Sequence, residues 1–169
     1  MPDVRRGSGH RVTSYDVARQ AGVSQSAVSR CFKPGASVSK KMRARVMKVA
    51  ENLGYQPNAI ARSLITRRSN MVAVVISQQT NLYYPEVLVQ LSQRFSERGV
   101  RVLLFTLEHE SDIDVILDQI FQYQVDGVVE AARLSGEQID LMDRRGIPFV
   151  FYNRSLKDRR VNAVCCDQT

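Results

Sequence analysis

Two hydrophobic periods divide this chain near residue 70. Up to about residue 64, apolar residues recur every three or four positions, which is the spacing of amphipathic helices. From Met71 onward, short continuous apolar runs alternate with helical patterns, beginning with Met71–Ile76. A continuous run of this length is typical of a strand that is buried on both faces of a sheet. The pattern therefore predicts a small helical domain followed by an α/β domain.

Capping residues place the first two helices. Thr13 and Asp16 have the spacing of a helix start, and Gly22 is suited to a left-handed helix end. Ser24 is then positioned to cap a second helix. Two short helices joined by a tight turn with Gly form the helix-turn-helix that reads DNA. The residues predicted to pack the two helices together are Val17, Ala18, Ala21, Val28, Cys31 and Phe32.

Ser39 is predicted to cap a third helix that runs to about Leu53, where Gly54 stops it. Its buried stripe consists of Met42, Val46, Val49, Ala50 and Leu53. Pro57 then breaks the chain, and Asn58 can cap a short helix over residues 59–64. Residues 66–70 are polar and are expected to form a linker.

The remaining residues alternate between strand and helix patterns. Strands are predicted at 71–76, 100–105, 125–129, 147–152 and 161–165, and helices at 85–99, 112–123 and 136–145. Strands that alternate with helices predict a parallel sheet with right-handed crossovers.

The net charge is divided unevenly along the chain. Residues 1–70 carry 14 Lys or Arg and 3 Asp or Glu, whereas residues 71–169 carry 10 and 14. The first part is therefore strongly basic, at +11, and the second is mildly acidic, at −4. This asymmetry indicates a polyanionic partner for the first part. Charge alone would equally fit a solvated basic face. The helix-turn-helix within residues 1–70 favours nucleic acid as the partner.

Several classes of protein are disfavoured by what the sequence contains. Its longest clean apolar run has six residues, whereas a membrane helix needs about 20. The first eleven residues are polar and basic, so we expect no secretory signal. Three cysteines make neither a disulfide framework nor a metal cluster, and we expect a reducing, cytoplasmic setting. We find no phosphate loop and no nucleophile with a base, and we predict no enzyme, no cofactor and no metal.

Three segments together resemble the lac repressor family of bacterial transcription regulators. They are Ala21-Gly22-Val23-Ser24, Val28-Ser29-Arg30 and the motif Tyr55-x-Pro57-Asn58-x-x-Ala61-x-Ser63-Leu64. The resemblance implies a helix-turn-helix domain at 12–57, a hinge helix and linker at 58–66, and a sensor domain like the periplasmic sugar-binding proteins at 70–169. Family members are roughly twice as long as this chain. We therefore expect a truncated product, with only part of the sensor.

The second helix is the expected recognition helix, whose N-terminal residues face base edges in the major groove. Gln25 and Ser26 are first in line, and the resemblance implies that they set operator choice. Gln pairs bidentately with adenine and Arg30 with guanine. Ser24 and Ser29 are expected to contact the DNA backbone. Alternatively, Ser24 is only a helix cap and Arg30 is only solvated.

The resemblance makes the short helix after Pro57 the minor-groove element, with Asn58, Ala59, Ala61 and Leu64 at the matching positions. A helix of six or seven residues is unstable alone in water. We therefore expect it to form only on DNA, paired with the same helix of a dimer mate. Leu64 is the expected wedge between base steps, which kinks the duplex.

Two places at the carboxyl ends of strands are expected to bind a small effector, such as a sugar. Tyr83 and Tyr84 follow the first strand, and Arg154 follows the fourth. Open parallel sheets bind ligands at this end. A tyrosine pair that packs a helix start, together with a solvated arginine, is an equally good interpretation.

Three functions compete at this point. The favoured one is a dimeric repressor that binds a palindromic operator in double-stranded DNA and senses a small molecule in its full-length form. The second is a periplasmic-type sugar-binding module with an incidental basic N-terminus. The third is a non-functional fragment that folds poorly.

Overall fold

Three helices form the first unit of the protein: α1 (Ser14–Ala21), α2 (Gln25–Cys31) and α3 (Lys40–Asn52). The structure is a computed structural model, and it describes residues 11–77, 84–154 and 161–165. The chain packs as two units that divide between Arg62 and Ser63. All three helices lie where the sequence predicts them.

The predicted caps are present at each helix start. Thr13 Oγ1 accepts the N–H of Asp16 at 3.4 Å, and Asp16 Oδ2 accepts the N–H of Thr13 at 3.0 Å. Gly22 takes the left-handed conformation, with φ of 61°. Ser24 Oγ accepts the N–H of Ala27 at 3.2 Å. These side chains satisfy backbone donors that a helix leaves unpaired at its first turn.

The core of the first unit is small and rich in alanine. Its buried residues are Val17, Ala18, Ala21, Val28, Cys31, Val46 and Ala50. Cys31 is 1% exposed, which confirms a packed thiol. Arg43 adds a polar tie, because its guanidinium donates to the carbonyl oxygens of Cys31 and Ala36. This arginine fastens α3 to the end of α2 and to the turn that follows.

The short helix after Pro57 is formed in the structure as α4 (Ala59–Thr66), two residues longer than predicted. Asn58 Oδ1 accepts the N–H of Ile60 at 3.0 Å and that of Ala61 at 3.4 Å. The expectation that this segment is helical only on DNA is therefore wrong for this structure, because the Asn58 cap stabilises its first turn. No residue of α4 is buried, so the helix lacks the apolar packing on which helices in proteins normally depend.

A five-stranded parallel sheet forms the second unit, in the order β2-β1-β3-β4-β5. Its strands are β1 (Met71–Ser77), β2 (Arg101–Leu107), β3 (Gly127–Glu130), β4 (Phe149–Tyr152) and β5 (Ala163–Val164). The helices between them are α5 (Tyr84–Glu97), α6 (Ile113–Tyr123) and α7 (Gly136–Arg144). The predicted alternation of strand and helix is confirmed, with bounds that differ by one or two residues at most ends.

The central strand β1 pairs with β2 on one side and with β3 on the other. Its residues Ala73, Val74 and Val75 are buried, as expected of a strand covered on both faces. Behind them, Leu117 and Ile120 from α6 and Ile139 and Met142 from α7 complete the core. Helices α6 and α7 each contain buried apolar residues, whereas Val87, Leu88 and Leu91 of α5 are only half-buried.

Asp126 ties the polar segment before β1 to the start of β3. Its Oδ1 accepts the N–H of Ser69 at 2.9 Å and the hydroxyl of Ser69 at 3.1 Å, and its Oδ2 accepts the N–H of Asn70 at 2.9 Å. The two sides of this contact are more than fifty residues apart in sequence. Residues 69–70 are therefore held to the sheet, rather than forming a free linker.

Glu130, at the end of β3, is completely buried among apolar residues. Its Oε1 accepts the N–H of Ala132 at 2.9 Å, whereas Oε2 has no partner in the described part of the chain. Burial raises the pKa of this carboxyl from 4.5 to about 8, although the Ala132 hydrogen bond opposes the rise. The neutral acid is therefore the favoured form in the folded protein near neutral pH.

We expect Asp126→Ala to lower the free energy of unfolding by about 2–3 kcal/mol, because three donors lose a charged acceptor. Denaturant titration followed by circular dichroism measures this change. Asp118→Ala is the matched control, since Asp118 is exposed on α6. Equal effects of the two substitutions would contradict the tie.

We expect the free energy of unfolding to fall as pH rises from 4.5 to 8. The pKa of Glu130 is higher in the folded than in the unfolded chain, so its stabilising protonation is complete below pH 4.5 and is lost as pH rises through about 8. Each pKa unit corresponds to about 1.4 kcal/mol, so the loss amounts to a few kcal/mol.

Glu130→Gln keeps an acceptor for the Ala132 N–H and does not ionise. Denaturant titrations at several pH values should show that the difference in stability between the variant and the parent grows in favour of the variant toward pH 8. A difference that stays constant from pH 5 to 8 would mean that Glu130 does not titrate in this window.

Candidate nucleic-acid interface and effector edge

Helix α2 has one buried and one exposed face. Ala27 and Val28 are buried against α1 and α3, at 4% and 0% exposure. Ser26, Ser29 and Arg30 are exposed. The exposed residues lie on the face that remains available after packing, which the predicted reading of base edges requires.

Ser24 acts as the cap of α2, as one of the two sequence interpretations predicts. Its hydroxyl also lies 3.0 Å from that of Ser26, and both side chains are exposed. A capping serine leaves the backbone N–H groups of the first turn pointing outward, where a phosphate binds favourably. Capping and phosphate binding are therefore compatible, and the phosphate contact stays a prediction.

Gln25 differs from the other predicted reading residues because its side chain is already engaged. Its Nε2 donates to Ser14 Oγ at 3.3 Å, and the residue is half-buried between α1 and α2. Pairing with adenine would require this amide to turn outward. The hydrogen bond connects the starts of the two helices, a contact that sequence spacing did not reveal.

Tyr15, on the first turn of α1, is not among the residues that the sequence pattern singled out. Its side chain is 71% exposed, which is unusual for a large aromatic residue. An exposed aromatic with a hydroxyl can pack against sugar and donate to a phosphate. An aromatic residue among the polar positions of α1 was the available signal.

Helix α4 presents large apolar side chains to solvent. Ile60, Leu64 and Ile65 are 71%, 73% and 84% exposed. The predicted wedge, Leu64, is thus largely exposed to solvent. Ala61, one turn earlier, is also exposed and small. Such a surface matches the predicted insertion between base steps and pairing with a second copy.

Only part of the predicted effector site falls within the described residues. Tyr83 lies outside them, and Tyr84 is the first residue of α5. Arg154 is half-buried, and its Nε donates to the carbonyl oxygen of Ala131 at 3.3 Å. The arginine is therefore fastened to the loop after β3, rather than simply solvated.

Two buried polar residues at these strand ends, Ser77 and Glu130, are also absent from the sequence-based predictions. Ser77 ends β1 at 4% exposure, and Glu130 ends the neighbouring strand β3. The Ser77 hydroxyl, the Glu130 carboxyl and the Arg154 guanidinium therefore lie at the same end of the sheet, where β1, β3 and β4 finish. Polar groups embedded in apolar strands are the signal that was available.

Within the described ranges, no group of three His, Cys, Asp or Glu side chains is arranged to hold a metal ion. Among the helices of the described chain, none is long and apolar enough to span a membrane.

Two family models match the two parts of the chain. Residues 13–58 match bacterial regulatory proteins of the lacI family, and residues 69–169 match the periplasmic binding proteins and sugar binding domain of the LacI family. The first match covers α1 to α3, and the second begins with the Ser69 that Asp126 holds to the sheet.

Curated relatives are transcription regulators. Catabolite control protein A of Staphylococcus xylosus is 32% identical over 162 residues, covering 92% of this chain and 48% of the relative. The HTH-type transcriptional regulator pepR1 of Lactobacillus delbrueckii subsp. lactis is 34% identical over 141 residues, covering 82% of this chain and 42% of the relative. The chain thus spans about half the length of the curated relatives that it matches.

Solved structures share the fold. A LacI family transcriptional regulator from Silicibacter pomeroyi superposes with a TM-score of 0.75 at 31% identity, covering 91% of this chain and 47% of that one. The lac repressor dimer bound to operator and the anti-inducer ONPF gives a TM-score of 0.78 at 23% identity, over 91% of this chain and 48% of that one. With family models that match both units, the chain belongs to the lacI family of bacterial regulatory proteins.

Proposed function

We propose that this chain is the DNA-reading and partial sensor region of a transcription repressor, which binds a palindromic operator in double-stranded DNA as a homodimer. The observation that carries this proposal is the two-faced helix α2. Its apolar face is buried in the first unit, whereas Ser26, Ser29 and Arg30 are exposed at helical spacing. The basic charge of residues 1–70 supplies the attraction to phosphates.

In this proposal, α2 lies in the major groove. Arg30 pairs with guanine through its two parallel donors, and Ser26 contacts a neighbouring base edge. Gln25 reads adenine after releasing its hydrogen bond to Ser14. Ser24 and Ser29 contact backbone phosphates and fix the register of the helix on the duplex.

Helix α4 inserts into the minor groove together with the same helix of the partner. Leu64 is the wedge, and burial between base steps offsets the cost of unstacking them, which is a few kcal/mol. Ala61 is small enough for a close approach of the two helices, and Asn58 caps the helix start. The exposure of Leu64 and Ile65 in the single chain supports this assignment.

The second unit contributes to the dimer through α5 and the edge strand β2. The apolar residues Val87, Leu88 and Leu91 of α5 are only half-buried, and Val89 is 53% exposed. Leu104 on β2 is 49% exposed. An apolar surface on neighbouring elements is typical of a protein interface, and a second copy of this chain is the partner that a palindromic operator requires.

The full-length protein senses a small molecule, such as a sugar, at the carboxyl ends of the strands in the second unit. Tyr83, Tyr84 and Arg154 contribute to that site, in a cytoplasmic protein without catalytic activity. The match of residues 69–169 to the sugar binding domain supports the proposal. The same match favours a sensor over a free-standing periplasmic module, because residues 13–58 match the regulator model directly before it.

Selection of bound sites from random double-stranded DNA tests the proposed function. We expect a palindrome whose half-sites are read by α2 and whose centre is deformable. Enrichment of no sequence would favour a ligand-binding module or a non-functional fragment. A thermal melt of the same preparation separates those two, because a poorly folded fragment shows no cooperative transition.

We expect Arg30→Ala to weaken binding to the selected site by about 1–3 kcal/mol and to relax the preference at one base pair per half-site. The reason is the loss of a bidentate contact. Fluorescence anisotropy on the selected duplex and on its single-base variants measures both effects. Lys40→Ala is the control, and should weaken binding to all sequences alike. Uniform loss with Arg30→Ala would make Arg30 a phosphate contact instead.

We expect Leu64→Ala to abolish bending of the selected duplex while residues 13–53 stay folded, because alanine is too small to hold a base step open. A gel assay with circularly permuted fragments measures the bend. Met47→Ala is the control, since it removes an exposed apolar side chain from α3 rather than from α4. An unchanged bend with Leu64→Ala would rule out the wedge role.

A further inference from the structure

An open cleft of about 770 Å³ lies at the amino ends of the strands in the second unit. Four arginines line it: Arg67, Arg68, Arg98 and Arg145. Apolar residues also line it, among them Val100, Phe121, Ile147 and Pro148. We call this feature the arginine cleft. It lies at the opposite end of the sheet from Glu130 and Arg154, and it is therefore separate from the proposed effector site.

The positive charge of the arginine cleft is not neutralised within the described chain. All four arginines are exposed, and none of them takes part in the ion pairs Arg19–Asp16 and Arg94–Glu97. Asp126 is the acid that lines the cleft, and its oxygens already accept from Ser69 and Asn70. The cleft therefore presents four guanidinium groups beside one carboxylate.

The partial negative charges of the helix ends near the cleft do not neutralise the arginines. Residues at the carboxyl ends of α5, α6 and α7 line it, and each helix end carries roughly −0.5 of an elementary charge. Three such ends contribute roughly −1.5, which is less than the +3 of the four arginines and Asp126. The cleft remains positive, and an anion is the partner that it fits.

Chain connectivity identifies which anion is close. Arg67 directly follows α4, three residues after Leu64. Three residues span at most about 11 Å, so Arg67 stays within that distance of the proposed minor-groove wedge. The minor groove is only about 6 Å wide and is bordered by phosphates on both sides. Any duplex that holds Leu64 therefore brings backbone phosphates to the edge of the cleft.

We propose that the arginine cleft of the second unit binds DNA backbone phosphates beside the hinge site, so that the sensor domain itself contributes to operator affinity. This inference rests on the proposed function, because it needs a duplex at α4. Arg67 and Arg68 reach the phosphates nearest the hinge. Arg98 and Arg145 extend the contact, and Arg145 is held in place with its guanidinium 4.2 Å from the centre of the Phe121 ring.

The test replaces the two arginines that are distant from α4 in sequence, in the double variant Arg98→Gln/Arg145→Gln. The matched control is Arg133→Gln/Arg144→Gln, which removes the same charge from exposed residues of the same unit that do not line the cleft. The single variant Arg98→Gln leaves the Phe121 contact intact, so a loss of folding in the double variant still leaves a measurement. Circular dichroism melts confirm that each variant is folded.

Fluorescence anisotropy measures the dissociation constant on the selected duplex and on a scrambled duplex, from about 50 to about 200 mM salt. Each lost phosphate contact lowers the slope of log affinity against log salt by about 0.9. We expect the cleft variant to lose roughly tenfold in affinity at physiological salt and about two units of slope on the selected duplex, with about half that slope change for Arg98→Gln. The control should match the parent.

Equal slopes for the parent, the cleft variant and the control would overturn the inference. A cleft variant that binds DNA like the parent but loses affinity for inorganic pyrophosphate would also overturn it, and would reassign the cleft to small phosphorylated ligands. If selection enriches no site, the proposed function fails, and the cleft is then decided on the scrambled duplex. A reduced slope there supports phosphate binding by the cleft, and an unchanged slope refutes it.

Discussion

Close contact between alanine-bearing helices is the constraint on which the first unit depends. Ala18 and Ala21 of α1, Ala27 of α2 and Ala50 of α3 are all nearly inaccessible to solvent. Their small side chains let the short helices approach closely enough to enclose Val28 and its neighbours. This close packing matters because so small a domain has little other apolar surface to bury. That packing orients α2 and thereby decides which of its side chains are buried and which are exposed.

In the second unit, the parallel direction of the strands places two different groups of polar residues at opposite ends of the sheet. The carboxyl ends of β1, β3 and β4 bring together Ser77, Glu130 and Arg154, with one acid buried in a neutral form. The amino ends carry the arginine cleft and the Asp126 tie. All strands of a parallel sheet begin at one end of the sheet and finish at the other, so the two ends carry different residues. One domain can therefore face a small ligand and a polyanion without mixing the two sites.

Several residues make contacts in the structure that their spacing in the sequence did not suggest. Gln25 was expected to point at DNA, yet it bonds to Ser14 across the helix pair. Arg154 was open to interpretation as a solvated side chain, but it is fastened to Ala131. Glu130 was overlooked within an apolar run. The partners of Gln25 and Arg154 lie eleven or more residues away in sequence, and the environment of Glu130 depends on tertiary burial. Local periodicity reveals neither.

By itself, the sequence determined the succession of helices and strands along the chain and the caps at Thr13, Ser24 and Ser39. These follow from local backbone chemistry and from periodicity, which act over a few residues. Only the tertiary structure decided the strand order, the tie from Asp126 to Ser69, the burial of Glu130 and the gathering of Arg98 and Arg145 in one cleft. These depend on contacts between residues distant in sequence, whose formation is governed by how whole elements pack against one another.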